Sequence, residues 1–148
     1  MKKIFTCLVP SVLLLIAGCS TKYTPTPVIL PSGTFSGPFV VIHLNSQTNK
    51  KDTTSANIVL TMSATTGYAV TGDTTTLQAG SRGSYIADSQ YIQFIDLTLP
   101  SGTTTVKTSP SGKIHLNGVY QYLYDGTNLQ LFASSADTIG YNYVLKAK

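Results

Sequence analysis

The chain has 148 residues, of which 42% are hydrophobic and only 11% are charged, and it contains no glutamate and no tryptophan. Its formal net charge of +4 shrinks once Lys2 and Lys3 are assigned to an N-terminal signal, because eight basic residues then stand against six aspartates. A surface so close to neutral gives no electrostatic reason to expect nucleic-acid binding.

The first 20 residues have the pattern of an export signal. Lys2 and Lys3 precede an apolar run from Leu8 to Ala17, and small residues then lead into Cys19. The run is shorter than the ~20 apolar residues that a membrane-spanning helix needs. We therefore expect a signal that is removed on export rather than a permanent transmembrane anchor.

The sequence Ile16-Ala17-Gly18-Cys19 resembles the bacterial lipoprotein motif. The resemblance implies that Cys19 becomes the acylated first residue of the mature chain. Several acyl chains on one residue, palmitate among them, would hold it stably in membrane lipid. Ser20 in the next position is similar to lipoproteins sent on to the outer membrane of the bacterial cell envelope. The alternative is an ordinary secretion signal with a coincidental cysteine.

Cleavage before Cys19 would make residues 1–18 a lipoprotein signal peptide and leave enough chain for one domain with a real core. Cys7 leaves with the signal and Cys19 carries lipid, so no thiol remains for a disulfide, a zinc site or a nucleophile. Residues 19–32 are polar and rich in proline, which favours an extended tether. Residues 33–148 form the remaining domain.

That domain consists of short β-rich runs separated by turn residues, with no long amphipathic helix. Short connections between several of the runs favour hairpins and an antiparallel meander. The eight predicted strands are Thr34–Leu44, Asn57–Ala64, Tyr68–Gly72, Arg82–Ala87, Gln90–Leu97, Ile114–Tyr124, Asn128–Ser134 and Ile139–Lys146.

Two hairpins can be given a register from their turn residues. A three-residue loop at Thr65-Thr66-Gly67 would place Met62 opposite Val70 and make one face of that hairpin apolar. A two-residue turn at Asp88-Ser89 would pair Tyr85 with Ile92. It would also pair Gly83 with Phe94, whose ring would then cover the glycine.

A third hairpin turns at Asp125-Gly126, and it places tyrosines on the same face as leucines. Tyr120, Tyr122 and Tyr124 share their face with Leu129 and Leu131, whereas the opposite face carries polar residues: Asn117, Gln121, Asp125, Asn128 and Gln130. Tyr141 and Tyr143 continue the pattern in the last strand.

The tyrosines are therefore expected to point inward. Buried phenols need hydrogen-bond partners, so the interior is expected to be partly polar and able to hold an amphipathic small molecule. The candidate ligand-binding residues of this interior are Tyr68, Tyr85, Phe94, Tyr120, Tyr122, Tyr124, Tyr141 and Tyr143. The alternative is that the tyrosines fill the barrel and bond to the backbone and to one another.

Several short motifs distributed over the domain resemble small bacterial lipocalin-like lipoproteins. They are Gly33-Thr34-Phe35-Ser36-Gly37-Pro38-Phe39, Ala79-Gly80-Ser81-Arg82-Gly83-Ser84-Tyr85, Leu116-Asn117-Gly118-Val119-Tyr120-Gln121-Tyr122, Asp125-Gly126 and Tyr141-Asn142-Tyr143-Val144-Leu145. The resemblance implies an all-β, up-and-down, eight-stranded calycin-type barrel that binds a small apolar or amphipathic ligand. Phe35 stands where the lipocalin signature has tryptophan, and the helix that follows the lipocalin barrel is not evident in the sequence pattern.

Catalysis and metal binding find little support. His43 and His115 both lie in predicted strands without a metal-ligand spacing, so satisfied or surface histidines are expected and no metal or other cofactor is predicted. Asp73, Asp88 and Asp125 lie in turn sequences. Asp96 shares the inward face and is expected near a barrel mouth, either solvated or meeting a polar group of a ligand. Arg82 is expected to face outward with Gln93.

Two functions remain open. One is a lipid-anchored barrel that binds a small ligand. The other is a non-enzymatic structural or protein-interaction lipoprotein, an inhibitor or an accessory protein of the envelope. In the second case the predicted long loops Asn45–Ala56 and Thr98–Lys113, or a covered outer face on the first strand, would contact a protein partner that the sequence does not identify. That outer face carries Val40, Ile42 and Leu44. If it is buried, a second protomer or the tether residues Val28, Ile29 and Leu30 would cover it.

Overall fold

The computed structural model describes residues 29–99, 112–136 and 138–148. The signal peptide, Cys19 and most of the predicted tether lie outside the described residues, as does most of the second predicted loop. Within the described part of the chain, no helix has the length and apolar character needed to cross a bilayer.

Eight antiparallel strands form a closed barrel in which each strand pairs with its sequence neighbours and the first pairs with the last. The predicted all-β, up-and-down architecture is therefore confirmed. The strands are β1 (Gly33–Asn45), β2 (Lys50–Ser63), β3 (Gly67–Gly72), β4 (Arg82–Ala87), β5 (Tyr91–Asp96), β6 (Gly118–Tyr124), β7 (Asn128–Ser135) and β8 (Ile139–Ala147).

The two ends of the barrel differ in what they carry. The tether end holds the chain entry at Pro31 and Ser32, the C-terminus, and the β2–β3, β4–β5 and β6–β7 turns. The arm end holds the other four connections. One of these is a hairpin arm formed where β1 and β2 extend past their other neighbours, up to the pair Asn45 and Lys50.

The prediction of a long loop at Asn45–Ala56 was wrong, because most of these residues belong to the hairpin arm. Residues 50–56 are paired with β1, and only residues 46–49 form the turn. The sequence showed no alternation here because Lys50–Ser55 is exposed on both faces, although threonine itself favours strands.

The sixth strand is also shorter than predicted. It begins at Gly118 rather than Ile114, because residues 114–118 are all buried and so do not alternate between two faces. Ile114 instead forms an isolated parallel bridge with Gln78, in the connection between β3 and β4. Asn117, predicted to face outward, is buried.

Two predicted hairpin registers were wrong by one residue pair, although their faces were right. Met62 lies opposite Tyr68, not Val70. Phe94 lies opposite Tyr85, because a four-residue loop separates Ala87 from Ile92 where a two-residue turn was expected.

The glycine in this hairpin, Gly83, therefore faces Asp96 on β5 and Tyr68 on β3. The predicted pairing of Gly83 with Phe94 is wrong. Gly67, at the β2–β3 turn, has φ near +80° and no room for a Cβ against the Gly83 carbonyl.

The apolar core fills the inside of the barrel. Phe35, Phe39, Leu60, Ile92 and Tyr143 have no solvent exposure. In β1, Phe39 and Val41 face the core, while Val40, Ile42 and Leu44 on the outer face are half-buried. The tether residues Ile29 and Leu30 are exposed rather than packed over that face.

Candidate functional site

The aromatic side chains inside the barrel touch one another in a continuous series. Phe39 stacks on Tyr143 with ring centroids 4.3 Å apart, and Tyr143 meets Tyr120 edge to face at 5.8 Å. Tyr120 in turn meets Phe94 at 5.8 Å, and Phe94 meets Tyr68 at 4.8 Å. Such distances are typical of well-packed aromatic pairs. This part of the interior is thus occupied by the protein's own rings.

The predicted inward direction of the tyrosines is observed, with different depths. Tyr68, Tyr120, Tyr122, Tyr141 and Tyr143 are buried, and Tyr85 and Tyr124 are half-buried near the tether end. Phe94 is buried at the centre of three ring contacts.

Most of the phenol hydroxyls bond within the protein. The hydroxyls of Tyr68, Tyr85, Tyr122 and Tyr124 donate to the backbone carbonyls of Leu116, Pro31, Asp88 and Gly126, respectively. The Tyr143 hydroxyl accepts a hydrogen bond of 2.7 Å from Nε2 of Gln78. Burial raises the pKa of the Tyr68 and Tyr143 phenols, so both stay protonated at neutral pH.

Two buried polar atoms in the interior have no hydrogen-bond partner among the described residues: Oε1 of Gln78 and the hydroxyl of Tyr120. Both residues neighbour Tyr143. A buried polar atom without a partner costs about 1–3 kcal/mol. These two atoms are therefore the points of the interior where a water molecule or a polar ligand atom would be stabilised.

A polar cluster closes the arm end of the barrel. Its centre is a buried carboxylate–imidazole pair in which Oδ2 of Asp96 lies 2.7 Å from Nδ1 of His115. The other carboxylate oxygen accepts hydrogen bonds from the Thr98 amide and hydroxyl at 2.8 and 2.6 Å. The Asp96 amide donates to Asn117 at 3.0 Å, so the cluster holds the end of β5 against the chain that leads into β6.

Burial by itself would raise the pKa of the Asp96 carboxyl. The hydrogen bonds from Thr98, His115 and Ser81 outweigh that effect and leave the pKa below its usual value. Asp96 is therefore a buried, paired carboxylate. The sequence had suggested a solvated side chain or one that meets a ligand.

The cluster shares two components with hydrolase triads, a carboxylate and an imidazole. Nε2 of His115 is buried and has no partner among the described residues. Ser81 lies on the carboxylate side instead, where its hydroxyl accepts from the Leu116 amide at 3.0 Å. No serine or threonine hydroxyl of residues 29–99, 112–136 and 138–148 therefore lies within hydrogen-bond distance of Nε2.

The other notable surface is the outside of β4 to β8, which we call the outer wall. Its outward side chains include Leu123 at 72% exposure, Ile86 at 70%, Val119 at 55% and Phe132 at 47%. Tyr91, Ile95 and Val144 extend it. Serine and amide side chains lie between these residues, and charged side chains occur at Arg82, the first residue of β4, and at Lys146, near the end of β8.

The opposite side of the barrel lacks this character. The exposed outward positions of β2 and β3 include Asn57, Thr61 and Thr71. Single exposed apolar residues are normal on soluble proteins, whereas a contiguous group is typical of a binding surface. The outer wall is such a group.

Strand register arranges the outer wall in rows. One row crosses four strands through Tyr91, Gln121, Phe132 and Asn142, since these residues lie opposite one another in turn. The row beside it consists of Leu123, Gln130 and Val144.

A groove of about 410 Å³ lies over these rows. It is lined by Ser89, Gln90, Gln121, Tyr122, Leu123, Gln130, Phe132 and Asn142. A second groove of about 350 Å³ adjoins it at Leu123 and Gln130 and runs toward the tether end along Tyr124, Asp125 and Asn128.

The outer wall was not predicted as a site. The polar side chains on the outward face of β6 and β7, such as Gln121 and Gln130, were predicted, but the apolar side chains beside them were not. Val119, Leu123 and Phe132, at outward positions of two adjacent strands, are the signal that could have identified the site.

No cluster of three or more metal-ligating side chains occurs among the described residues. Comparisons with family models, with curated proteins and with solved structures found no match. Functional interpretation therefore depends on the geometry of this chain alone.

Proposed function

We propose that this chain is a non-catalytic binding protein, held at a bacterial membrane by acylated Cys19, that contacts a macromolecule of the cell envelope through its outer wall. The observation that carries the proposal is the contrast between the two faces of β4 to β8. The inner face is occupied by contacting rings, and the outer face exposes large apolar side chains such as Ile86, Leu123 and Phe132 to solvent. Kinship with lipocalin-like lipoproteins is part of the proposal, supported by the closed eight-stranded barrel.

The proposed anchor fixes the orientation of the barrel. The chain enters at the tether end, where the Tyr85 hydroxyl bonds to the Pro31 carbonyl. The residues between Cys19 and Pro31 can span at most about 40 Å when extended. The tether end would thus face the membrane, the hairpin arm would point away from it, and the outer wall would stand beside the lipid surface.

The anchor is tested by mass spectrometry of the mature N-terminus and by the membrane fraction of the protein in a bacterial host. We expect Cys19→Ala to abolish acylation. Detergent is then no longer needed to release the protein from the membrane. Cys7→Ala is the matched control, because it removes the other cysteine without touching the acceptor. An acylated Cys19→Ala chain, or an unmodified wild-type Cys19, would contradict the proposal.

The contact surface is tested with a photo-activated cross-linking amino acid placed in the full chain in living cells. At Leu123, in the outer wall, we expect a discrete adduct with an envelope component. At Thr61, exposed on the opposite side of the barrel, we expect none. Equal labelling at both positions, or none at Leu123, would overturn the proposed surface.

A second candidate function is the binding of a small amphipathic ligand inside the barrel. The specific observation in its favour is the pair of buried, unpartnered atoms, Gln78 Oε1 and the Tyr120 hydroxyl. A ligand would have to displace some of the surrounding rings and supply one polar atom to these two groups. Native mass spectrometry of protein extracted from membranes would show a retained small molecule if this candidate is correct, and only the acylated chain if it is not.

A further inference from the structure

The amide side chains along the outer-wall groove are available for hydrogen bonding to a ligand. Gln90, Gln121, Gln130 and Asn142 line the same groove, and none of their side chains hydrogen-bonds to another described residue. Each primary amide offers two donors and an acceptor. The groove therefore presents several free, neutral hydrogen-bonding groups beside exposed apolar side chains.

These amides alternate with aromatic rings along one row. Tyr91 and Phe132 are separated by Gln121, and Asn142 follows Phe132 on the next strand. Neighbouring strands lie about 4.8 Å apart, so the two rings are about 10 Å apart along the row. That separation is comparable to the length of two linked pyranose rings.

We infer that the outer-wall groove binds a neutral polysaccharide chain, with one sugar face on Phe132 in the groove, a second on Tyr91 opposite the groove residue Gln121, and sugar hydroxyls bonded to the amides between them. The inference rests on the proposed function and names the partner class of the same surface. The C–H face of a pyranose is weakly positive and complements the negative face of an aromatic ring. Sugar hydroxyls, like amides, both donate and accept.

The electrostatics of the groove support a neutral chain. Its lining contains no charged residue, so it offers no partner to a phosphate, a sulfate or a uronic acid. The adjoining groove brings one carboxylate, Asp125, which already accepts hydrogen bonds from the Thr127 and Asn128 amides, and Lys146 lies opposite its residue Asn128.

The size of the surface also fits an extended ligand. The two grooves meet at Leu123 and Gln130, and together they continue from the Tyr91–Asn142 row toward the tether end. A chain of several sugars would be accommodated, whereas a monosaccharide would occupy only a part of the row.

A lipid surface fits this groove less well. Its four free amides would lose water without gaining hydrogen-bond partners if they entered hydrocarbon, which is unfavourable. No basic residue of the lining would attract anionic headgroups. A protein partner is a separate outcome of the test below.

The test measures binding of two neutral β-linked hexasaccharides, cellohexaose and chitohexaose, to the full mature lipoprotein in detergent micelles. Titration is followed by calorimetry and by the side-chain amide signals in nitrogen-15 NMR. We expect at least one hexasaccharide to shift the signals of Gln121, Gln130 and Asn142, while Asn57 on the opposite side stays unchanged.

Two variants and a control sharpen the measurement. Phe132→Ala should weaken hexasaccharide binding about tenfold through loss of the ring face, and Gln121→Ala should weaken it severalfold. Asn57→Ala is the matched control and should leave it unchanged. All three positions are exposed, and circular dichroism of each variant checks that the barrel is intact.

The inference is overturned if neither hexasaccharide binds at millimolar concentration, or if Phe132→Ala and Asn57→Ala bind equally. Its failure can be told apart from that of the proposed function. A Leu123 cross-link to a protein or a lipid, without saccharide binding, would reject the polysaccharide and keep the surface. Absence of any Leu123 adduct would reject the surface itself.

Discussion

The two faces of β6 and β7 are both rich in large apolar side chains, yet only one of them is a core. Tyr120 and Leu131 point inward and are almost fully buried, while Leu123 and Phe132 point outward and remain exposed. Apolar content therefore does not distinguish core from surface in this barrel. The difference lies in what the side chains meet: aromatic neighbours on the inside, and free amides on the outside.

The largest expected effect is on the free energy of unfolding, and it is seen by comparing one substitution on each of these two faces. Tyr143→Ala removes a fully buried ring that contacts Phe39 and Tyr120, and should lower the free energy of unfolding by about 3–5 kcal/mol. Leu123→Ala should change it by no more than about 0.5 kcal/mol. Urea unfolding of the two variants measures both values, and comparable losses would contradict the assignment of the faces.

The polar cluster at the arm end provides the next effect. His115→Ala leaves the buried Asp96 carboxylate without its imidazole partner and should cost about 3 kcal/mol of unfolding free energy. His43→Ala, at the exposed histidine of β1, is the matched control and should cost almost nothing. Similar urea midpoints for the two variants would show that the Asp96–His115 pair does not hold the end of the barrel.

Acid should destabilise the protein through its carboxylates. The pKa values of Asp96, Asp88 and Asp125 are lower in the folded chain than the usual 3.8, that of Asp125 falling to about 2. A lowered folded-state pKa stabilises the protein above pH 3.8, and this stabilisation is lost as pH falls through the folded-state pKa.

We therefore expect the free energy of unfolding to decrease from about pH 5 toward pH 2. Asp96→Asn should flatten that decrease, and Asp52→Asn on the hairpin arm should preserve it. Thermal unfolding at a series of pH values measures the slopes. An unchanged slope in Asp96→Asn would show that this carboxylate is not linked to folding.

The smallest expected effects on the free energy of unfolding distinguish two tyrosines of the interior. Tyr68→Phe deletes a donor to the Leu116 carbonyl and should cost about 1 kcal/mol. Tyr120→Phe deletes a hydroxyl without a partner and should be neutral or slightly stabilising. A clear destabilisation by Tyr120→Phe would show that this hydroxyl has a bound water or ligand, and would favour the second candidate function.

The sequence predicted the barrel well because alternation and turn residues depend on local chemistry. The inward direction of the tyrosines in β6 followed from the turn at Asp125-Gly126, because a two-residue and a four-residue loop place the same side chains on one face. Registers were harder, since Asp88 forms hydrogen bonds to the amides of Gln90 and Tyr91 and so closes a four-residue loop instead of a two-residue turn.

The polar cluster and the outer wall were less predictable. Asp96 and His115 are 19 positions apart, and the segment before β6 does not alternate between buried and exposed side chains, so no local pattern predicts their contact. The outer wall depends on the order of strands around the barrel, which places Gln121, Phe132 and Asn142 in one row. Local sequence patterns show which residues point outward, but not which of them become neighbours.

The most direct test of the outer wall as the contact surface is hydroxyl-radical footprinting of the protein in intact cells and after purification. If the outer wall is the contact surface, Leu123 and Phe132 are protected in cells and react freely once the protein is purified, while Ile29 of the tether reacts similarly in both. Equal reactivity of Leu123 and Phe132 in the two preparations would show that nothing covers the outer wall, and would contradict its role as the contact surface.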